Sequence, residues 1–431
     1  MLNKDSMNIW IFNHYADAPE GQATRSYDLS KQLVERGHRV TIFAAGFSHY
    51  KFQEERVRPG ESWREEDCDG VRFIWLKTFP YQKNDLRRIV NMMSYAWRVF
   101  WLCVRLPEAP DAIIGVSVHP LAALAGWAVA AVRRSRFFIE LTDLWPEVLI
   151  DFGMLSRRNP VTWFLRALEI FLYRRAERII MIWPRTEEYV KRLGVSPEKV
   201  VWIPHLADLS RYESLKPYDG RIGKRFTVMY LGSFVTFMAM EVILRSAKIL
   251  QDRGRHDVRF VLVGGGTDKE YLERLATQLR LGNVEFPGLV PKKDIAKVMS
   301  DADVFVVSLK DVPLLKFGVS LNKACDYLAS GRPTILAGNP GYDPIKEAKA
   351  GFSVPAENPQ ALADSIELLM TLDPEERVRM GKSGREYLER VHGIGVLADR
   401  LEKTLLGADL GGATCEEASR SRTGVMPFQS R

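Results

Sequence analysis

The sequence predicts an α/β protein built from two doubly wound parallel-sheet domains that face each other across a cleft. Three observations carry that prediction. At 431 residues the chain is too long for one ordinary core and suits two domains of roughly 200 residues each. Short apolar runs alternate with amphipathic stretches, the pattern of parallel strands covered on both faces by helices. That rhythm breaks once, in a polar stretch holding Pro217, Gly220 and Gly223, and then restarts.

Taken in order, Asn8–Asn13 reads as the first strand, followed by a polar loop and a helix from Thr24 to Arg36 closed by Gly37. Further strands are expected at Arg39–Ala44, Val71–Leu76, Ala112–Gly115, Arg136–Glu140, Arg178–Ile182 and Val200–Ile203. The second half repeats the scheme. Its strands are Thr227–Leu231, Arg259–Val263, Val284–Phe286, Val304–Val307 and Thr334–Ala337. Helices are expected at Met238–Arg253, Lys269–Gln278 and Lys292–Ser300, and from Asn322, with three more ending near Leu406. The expected domains are residues 7–206 and 226–390, joined by a linker over 207–225. A last helix, 391–408, returns to the first domain, and 409–431 is a disordered tail.

Composition narrows the class. Hydrophobic residues are 46% and charged residues 27%, which describes a globular chain. A net charge of +7 calls for an anionic partner, and phosphate, nucleic acid and a membrane surface all qualify. The cysteines, Cys68, Cys103, Cys325 and Cys415, show neither CxxC nor zinc spacing and read as reduced thiols of a cytoplasmic protein. The N-terminal residues lack the apolar core of a signal peptide, and Met7 is a second candidate start. Ala112–Val132 is charge-free and long enough for a bilayer, but His119-Pro120 divides it. It therefore reads as a buried strand, a turn and a buried helix.

Four segments carry candidate chemistry. Pro19–Arg25 follows the first strand and opens the first helix. Gly21 lets a ligand approach the backbone, and a helix N-terminus favours negative charge; an ordinary strand–helix turn reads the same way. No GxGxxG is present, which counts against a dinucleotide site. His119 and Asp143 each lie just past a strand, where ligands gather in doubly wound sheets. His119 is placed to orient a sugar or phosphate and Asp143 to accept a proton, or they are a turn residue and a helix cap. The most informative segment runs from Lys316 to Pro333. Gly318, Val319 and Ser320 lead into a helix whose first turn carries Asn322 and Lys323, a cradle suited to a diphosphate. Asp326, one turn on, is placed to accept from ribose hydroxyls. The blander alternative makes Asn322 a cap and Lys323 a solvated side chain. Gly264–Gly266 lacks a P-loop lysine and reads as a turn beside a nucleotide base. Asp301-Ala302-Asp303 has DxD spacing but sits between a helix and a strand, and reads as helix-end solvation.

Together these segments resemble glycosyltransferase family 4, and within it the L-fucosamine-transferase-like enzymes of bacterial surface-polysaccharide assembly. The resemblance runs from Asn8 to Leu406. It rests on Gly21–Arg25, Gly37–Thr41, Asp111–Pro120, Asp143–Glu147, Tyr173–Ile180, Val261–Gly266 and Val319–Pro333. It implies the GT-B fold of two Rossmann-like domains. It places His119 against the donor sugar, with His119, Asp143 and Lys323 as the catalytic candidates. Gly21, Gly232, Gly264, Gly265, Gly318, Val319, Ser320, Asn322, Lys323 and Asp326 become donor-binding candidates, and Thr24 and Arg25 acceptor-side ones. Asp326 occupies the second acidic position of the family's E-x7-E signature, and Gly318 stands at the first. The family's Arg/Lys pair is also missing, since no basic residue lies between Phe226 and Leu244; Lys323 is the candidate replacement.

The implied reaction is a retaining transfer from a nucleotide diphosphate sugar, without metal or other cofactor. The loss of the first glutamate points to a deoxy- or N-acetylaminosugar. The expected acceptor is a polyprenyl-diphosphate-linked or other glycan, met at the inner face of the cell membrane, and no nucleic acid is expected. Leu86–Leu106 interleaves Trp97, Phe100 and Trp101 with Arg87, Arg88, Arg98 and Arg105. Pro160–Arg178 holds Trp163, Phe164, Phe171 and Tyr173 near Arg157, Arg158, Arg166, Arg174 and Arg175. Such helices either lie in a lipid interface or cover the sheet. A sugar-nucleotide epimerase of the same architecture and a non-enzymatic anion- or nucleic-acid-binding protein are the alternatives.

Overall fold

The computed structural model describes residues 6–19, 21, 23–83, 85–291, 294–318 and 322–408. The chain divides into two compact units, one running to Pro204 and resuming at Ile394, the other spanning His205–Gly393.

The first unit is built on one sheet of eight strands. Their order across the sheet is Val200–Trp202, Ile179–Met181, Arg136–Leu141, Ala112–Val116, Asn8–Phe12, Arg39–Ala45, Val71–Leu76 and Trp63–Cys68. All neighbours run parallel except the last pair. Asn8–Phe12 and Ala112–Val116 are buried at every position, as strands covered on both faces must be. Trp63–Cys68 escapes a reading based on apolar runs because its sequence, WREEDC, is charged and exposed. Charge on an edge strand keeps another chain from pairing with it.

Ala112–Val132 resolves into strand Ala112–Val116 and helix Pro120–Arg133, with His119 as the N-cap and proline in the first turn. A Cβ on Gly115 would lie 2.9 Å from the Ala123 Cα, so helix and strand meet backbone to backbone. Among the described residues no helix is long and apolar enough to cross a membrane.

The second unit holds six parallel strands in the order Val284–Gly288, Val258–Gly265, Phe226–Ser233, Val304–Ser308, Thr334–Ala337 and Gly351–Val354. The last of these, GFSV, is too short and too exposed to stand out in the sequence. The expected linker 207–225 is corrected: it is packed onto the second unit. Tyr212 is buried, the Gly220 carbonyl accepts from the Arg377 guanidinium at 2.7 and 3.0 Å, and the Lys216 carbonyl accepts from Arg332 at 3.3 Å. The segment looked like a linker because backbone carbonyls do this bonding. Helix Ile394–Leu406 belongs to the first unit and packs on helix Arg25–Glu35. Glu402 there meets Arg36 at 2.8 Å and His38 Nε2 at 3.0 Å. The expectation for 409–431 lies outside the described residues.

Candidate active site

In the first unit, strand Asn8–Phe12 pairs with Arg39–Ala45 on one side and Ala112–Val116 on the other, so the strand order reverses there. Ligands in doubly wound sheets bind at the carboxyl ends beside such a reversal. Two histidines meet at this point. The Ala122 N–H donates to His119 Nδ1 at 3.3 Å, which leaves the proton on Nε2 to donate to His14 Nδ1 at 2.6 Å. Both nitrogens of His119 are therefore engaged, and the side chain is buried. His14 stacks on Tyr95 at 4.3 Å and on Tyr15 at 4.5 Å. Burial, then the charge of Arg88, pushes His119 down to about 3. Burial, then His119, Arg88 and His49, pushes His14 well below the usual histidine range. Both rings are thus neutral at neutral pH.

His14 borders a cavity of about 290 Å³, together with Tyr15, Asp17, Gly21, His49 and Lys51. The ring of His119, expected against the donor sugar, is engaged by the helix cap and by His14. It was His14 that the sequence reading passed over. The rule that selected His119 applies to it equally, since it lies just past the first strand.

The expected acceptor-side residues, Thr24 and Arg25, make internal hydrogen bonds. The Thr24 hydroxyl is buried and donates to Asp28 at 2.8 Å. Arg25 donates to Glu140 at 2.6 Å and to the carbonyls of Ile203 at 2.8 Å and Pro204 at 2.5 Å. Arg25 thus ties the first helix to two strand ends. Gly21 has a structural reason as well: a Cβ there would lie 2.0 Å from the Asp17 Cβ. Asp143 follows the adjacent strand Arg136–Leu141 and does not border the cavity. Its carboxyl is pushed up by burial, against a hydrogen bond with Thr142. The short helix behind it, Glu147–Asp151, is preceded by Pro146 at the cap position, so Asp143 is not that cap. Glu147 anchors the loop through Arg157 at 3.0 Å and through Arg166.

The second unit carries the donor candidates. Gly232 and Gly264 end two neighbouring strands. Gly264 has φ +142°, and a Cβ on it would lie 1.9 Å from the Gly232 oxygen, so only glycine allows the strands to meet this closely. Gly232, Gly264 and Gly265 border an apolar slot of about 190 Å³ with Leu289, Val290 and Ile295. Lys323 stands beside it: a Cβ on Gly232 would come 3.1 Å from the Lys323 Cε. The Lys323 ammonium donates to the Tyr230 hydroxyl at 2.8 Å and lies 4.9 Å from its ring centre. Burial brings Lys323 down to about 8, against the neighbouring Asp326, which raises it.

Asn322 is the exposed first residue of helix Asn322–Ala329, and Asp326 is half-buried one turn on. Gly318, at φ +99°, closes the turn before this helix, while Val319 and Ser320 lie outside the described residues. Asp303 precedes the strand Val304–Ser308, at the amino ends of the strands, opposite the carboxyl ends that border the slot. It accepts from the Thr227 N–H at 2.7 Å, which explains half of the DxD as structure.

The sequence comparisons decide what these sites belong to. Residues 20–205 match the glycosyl transferase 4-like domain, and residues 214–387 match glycosyl transferases group 1. The chain is a glycosyltransferase. Escherichia coli K12 has a relative, named as the colanic acid biosynthesis glycosyl transferase WcaI, that is 21% identical over 403 residues. That match covers 89% of this chain and 96% of the relative. Sucrose-phosphate synthase from Thermosynechococcus elongatus superposes with a TM-score of 0.71 at 19% identity, covering 94% of this chain and all of that one. Anabaena HepE in complex with UDP-glucose superposes at 0.66 and 15% identity, covering 93% of this chain and all of that one. These likenesses establish the fold as GT-B.

The histidine pair gives this glycosyltransferase an acid-sensitive first unit. His119 binds its proton near 6.5 when unfolded and near 3 when folded, so the unfolded chain takes up protons first as the pH falls. Stability present above pH 6.5 is lost progressively below it, by about 2 kcal/mol at pH 5 from His119 alone. His14 contributes with the same sign. Urea unfolding of the first unit at pH 7.5 and pH 5 should show the loss, and His119→Asn should shrink the difference between the two. An unchanged difference would mean that the pair titrates normally.

Proposed function

We propose that this glycosyltransferase moves a deoxy- or N-acetylaminosugar from a nucleotide diphosphate sugar to a polyprenyl-diphosphate-linked glycan, with retention and without a metal. The observation that carries the donor half is Lys323, a desolvated ammonium on the first turn of a helix, beside two glycine strand ends and an apolar slot. The slot takes the base, while Lys323 and the helix N-terminus take the diphosphate and the charge that grows on it as the sugar leaves. Uracil is the base we assign, because HepE, of the same fold, is found in complex with UDP-glucose. The glycine at position 318, where the resembling family has a glutamate, supports a donor with fewer hydroxyls to satisfy. A role in surface-polysaccharide assembly follows the name of the colanic acid relative.

The acceptor half rests on the outer faces of two helices in the first unit. Helix Leu86–Arg105 buries Asn91, Tyr95, Val99 and Cys103. Its opposite face exposes Leu86, Ile89, Val90, Met93, Trp97 and Trp101, which covering the sheet does not require. Arg105 stacks over Trp101 at 5.2 Å. Helix Pro160–Arg175 likewise exposes Val161, Trp163 and Phe164. Two residues of the expected interfacial set turn inward instead. Phe171 packs on Trp127, and buried Tyr173 donates to Glu169 at 2.9 Å. Exposed aromatics beside arginines suit an anionic lipid surface, and on that support we assign the enzyme a peripheral position there, on the cytoplasmic side.

Thermal unfolding in a panel of nucleotide sugars tests the donor, since a bound ligand raises the midpoint by mass action. A UDP-linked N-acetylated or deoxy sugar should protect most, and its transfer should survive excess EDTA. Preference for UDP-glucose or GDP-mannose would sink the aminosugar assignment, and activity lost to EDTA and restored by Mg²⁺ would sink metal independence.

A further inference from the structure

We infer that Tyr212 is a positioning residue for donor recognition, its phenol fixing the Asp326 carboxylate in the orientation that accepts the ribose hydroxyls of the nucleotide. The inference rests on the donor site proposed above. Tyr212 ends the helical turn Leu209–Tyr212, whose start is held by Asp208 accepting from the Ser210 N–H at 3.1 Å and the Ser210 hydroxyl at 2.6 Å. The ring is buried, and the hydroxyl donates to Asp326 Oδ1 at 2.5 Å. Burial, then the Asp326 charge, raises the phenol far above its ordinary range, so it remains a donor at any working pH. A carboxylate has room for about four hydrogen bonds, so one held oxygen still leaves acceptor capacity. Asp326 shares a helix face with Lys323, three residues earlier, and their charges interact. One held oxygen therefore sets the carboxylate beside the ammonium assigned to the diphosphate, where the ribose would lie.

Holding that rotamer before the ligand arrives removes an ordering cost from binding. Tyr212→Phe deletes only the hydroxyl and keeps the buried ring. It should lower affinity for a ribonucleotide about tenfold, the size of one charge-assisted hydrogen bond.

The test measures binding of UDP and GDP, each beside its 2′,3′-dideoxy counterpart, to the full chain by calorimetry. The wild type should prefer the ribonucleotide of its own base. Tyr212→Phe should lose most of that preference while binding inorganic pyrophosphate, which has no ribose, as the wild type does. In turnover the variant's donor KM should rise with kcat nearly unchanged, a split that general loosening of the fold does not produce. If Tyr212→Phe keeps the wild-type preference while Asp326→Asn loses it, the positioning role is overturned and the donor site stands. If the wild type is indifferent to the ribose hydroxyls, the donor site and the inference fall together.

Discussion

Lys323→Ala should lower affinity for the nucleotide diphosphate sugar on the order of a hundredfold, the cost of deleting a hydrogen-bonded charge from a phosphate site. The unliganded fold should tolerate the change, because the ammonium is a desolvation cost until an anion arrives. The sign with pH follows from the same burial. Lys323 loses its proton near 8 in the empty site, and only the protonated form attracts the diphosphate. Wild-type donor affinity should therefore fall as pH rises above 8, by up to about tenfold per unit. Stability has the opposite sign. A lysine whose folded value lies below its unfolded 10.5 adds stability as pH rises from 8 towards 10.5. Calorimetry of UDP binding between pH 7 and 9.5 checks the affinity. Lys323→Arg should flatten the curve, because a guanidinium stays charged throughout. A wild-type profile with no decline above pH 8 would remove Lys323 from the diphosphate.

The second large effect belongs to the exposed face of the first unit. Replacing Trp97, Trp163 and Phe164 together with serine should abolish flotation with phosphatidylglycerol vesicles. All three are more than 60% exposed, at 65%, 64% and 63%, so the fold has little to lose. Each aromatic buried in the lipid interface is worth about 2 kcal/mol, and each nearby arginine about 1 kcal/mol at low salt. The wild type should float at low salt and be released by high salt or carbonate, as a peripheral protein is. A triple variant that floats like the wild type, or a wild type that stays at the bottom, would defeat the membrane assignment.

Both predictions draw on residues legible in the sequence, and the reason is local. Buried strands must be apolar along their length, so Val71–Leu76 and Thr334–Ala337 could be read directly, as could helix Lys269–Gln278 from its period. Lys323 and Asp326 were legible because a glycine turn and the helix after it lie within one short segment. The sequence alone likewise established two Rossmann-like domains and the divided nature of Ala112–Val132, since His119-Pro120 is a local break.

What only the tertiary structure decided are the partners that share a site but not a neighbourhood in the chain. The fold brings Glu140 and the Ile203 and Pro204 carbonyls to Arg25 from more than 100 residues away. The fold joins the second nitrogen of His119 to His14, 105 residues earlier, a pairing no local pattern announces. Residues 207–225 looked like a linker until Tyr212 found Asp326, 114 residues away. Local pattern encodes which face of an element is buried, because that depends on period alone. Which polar atoms pair inside depends on how strands stack into a sheet, and that register is set by the packing of the whole core.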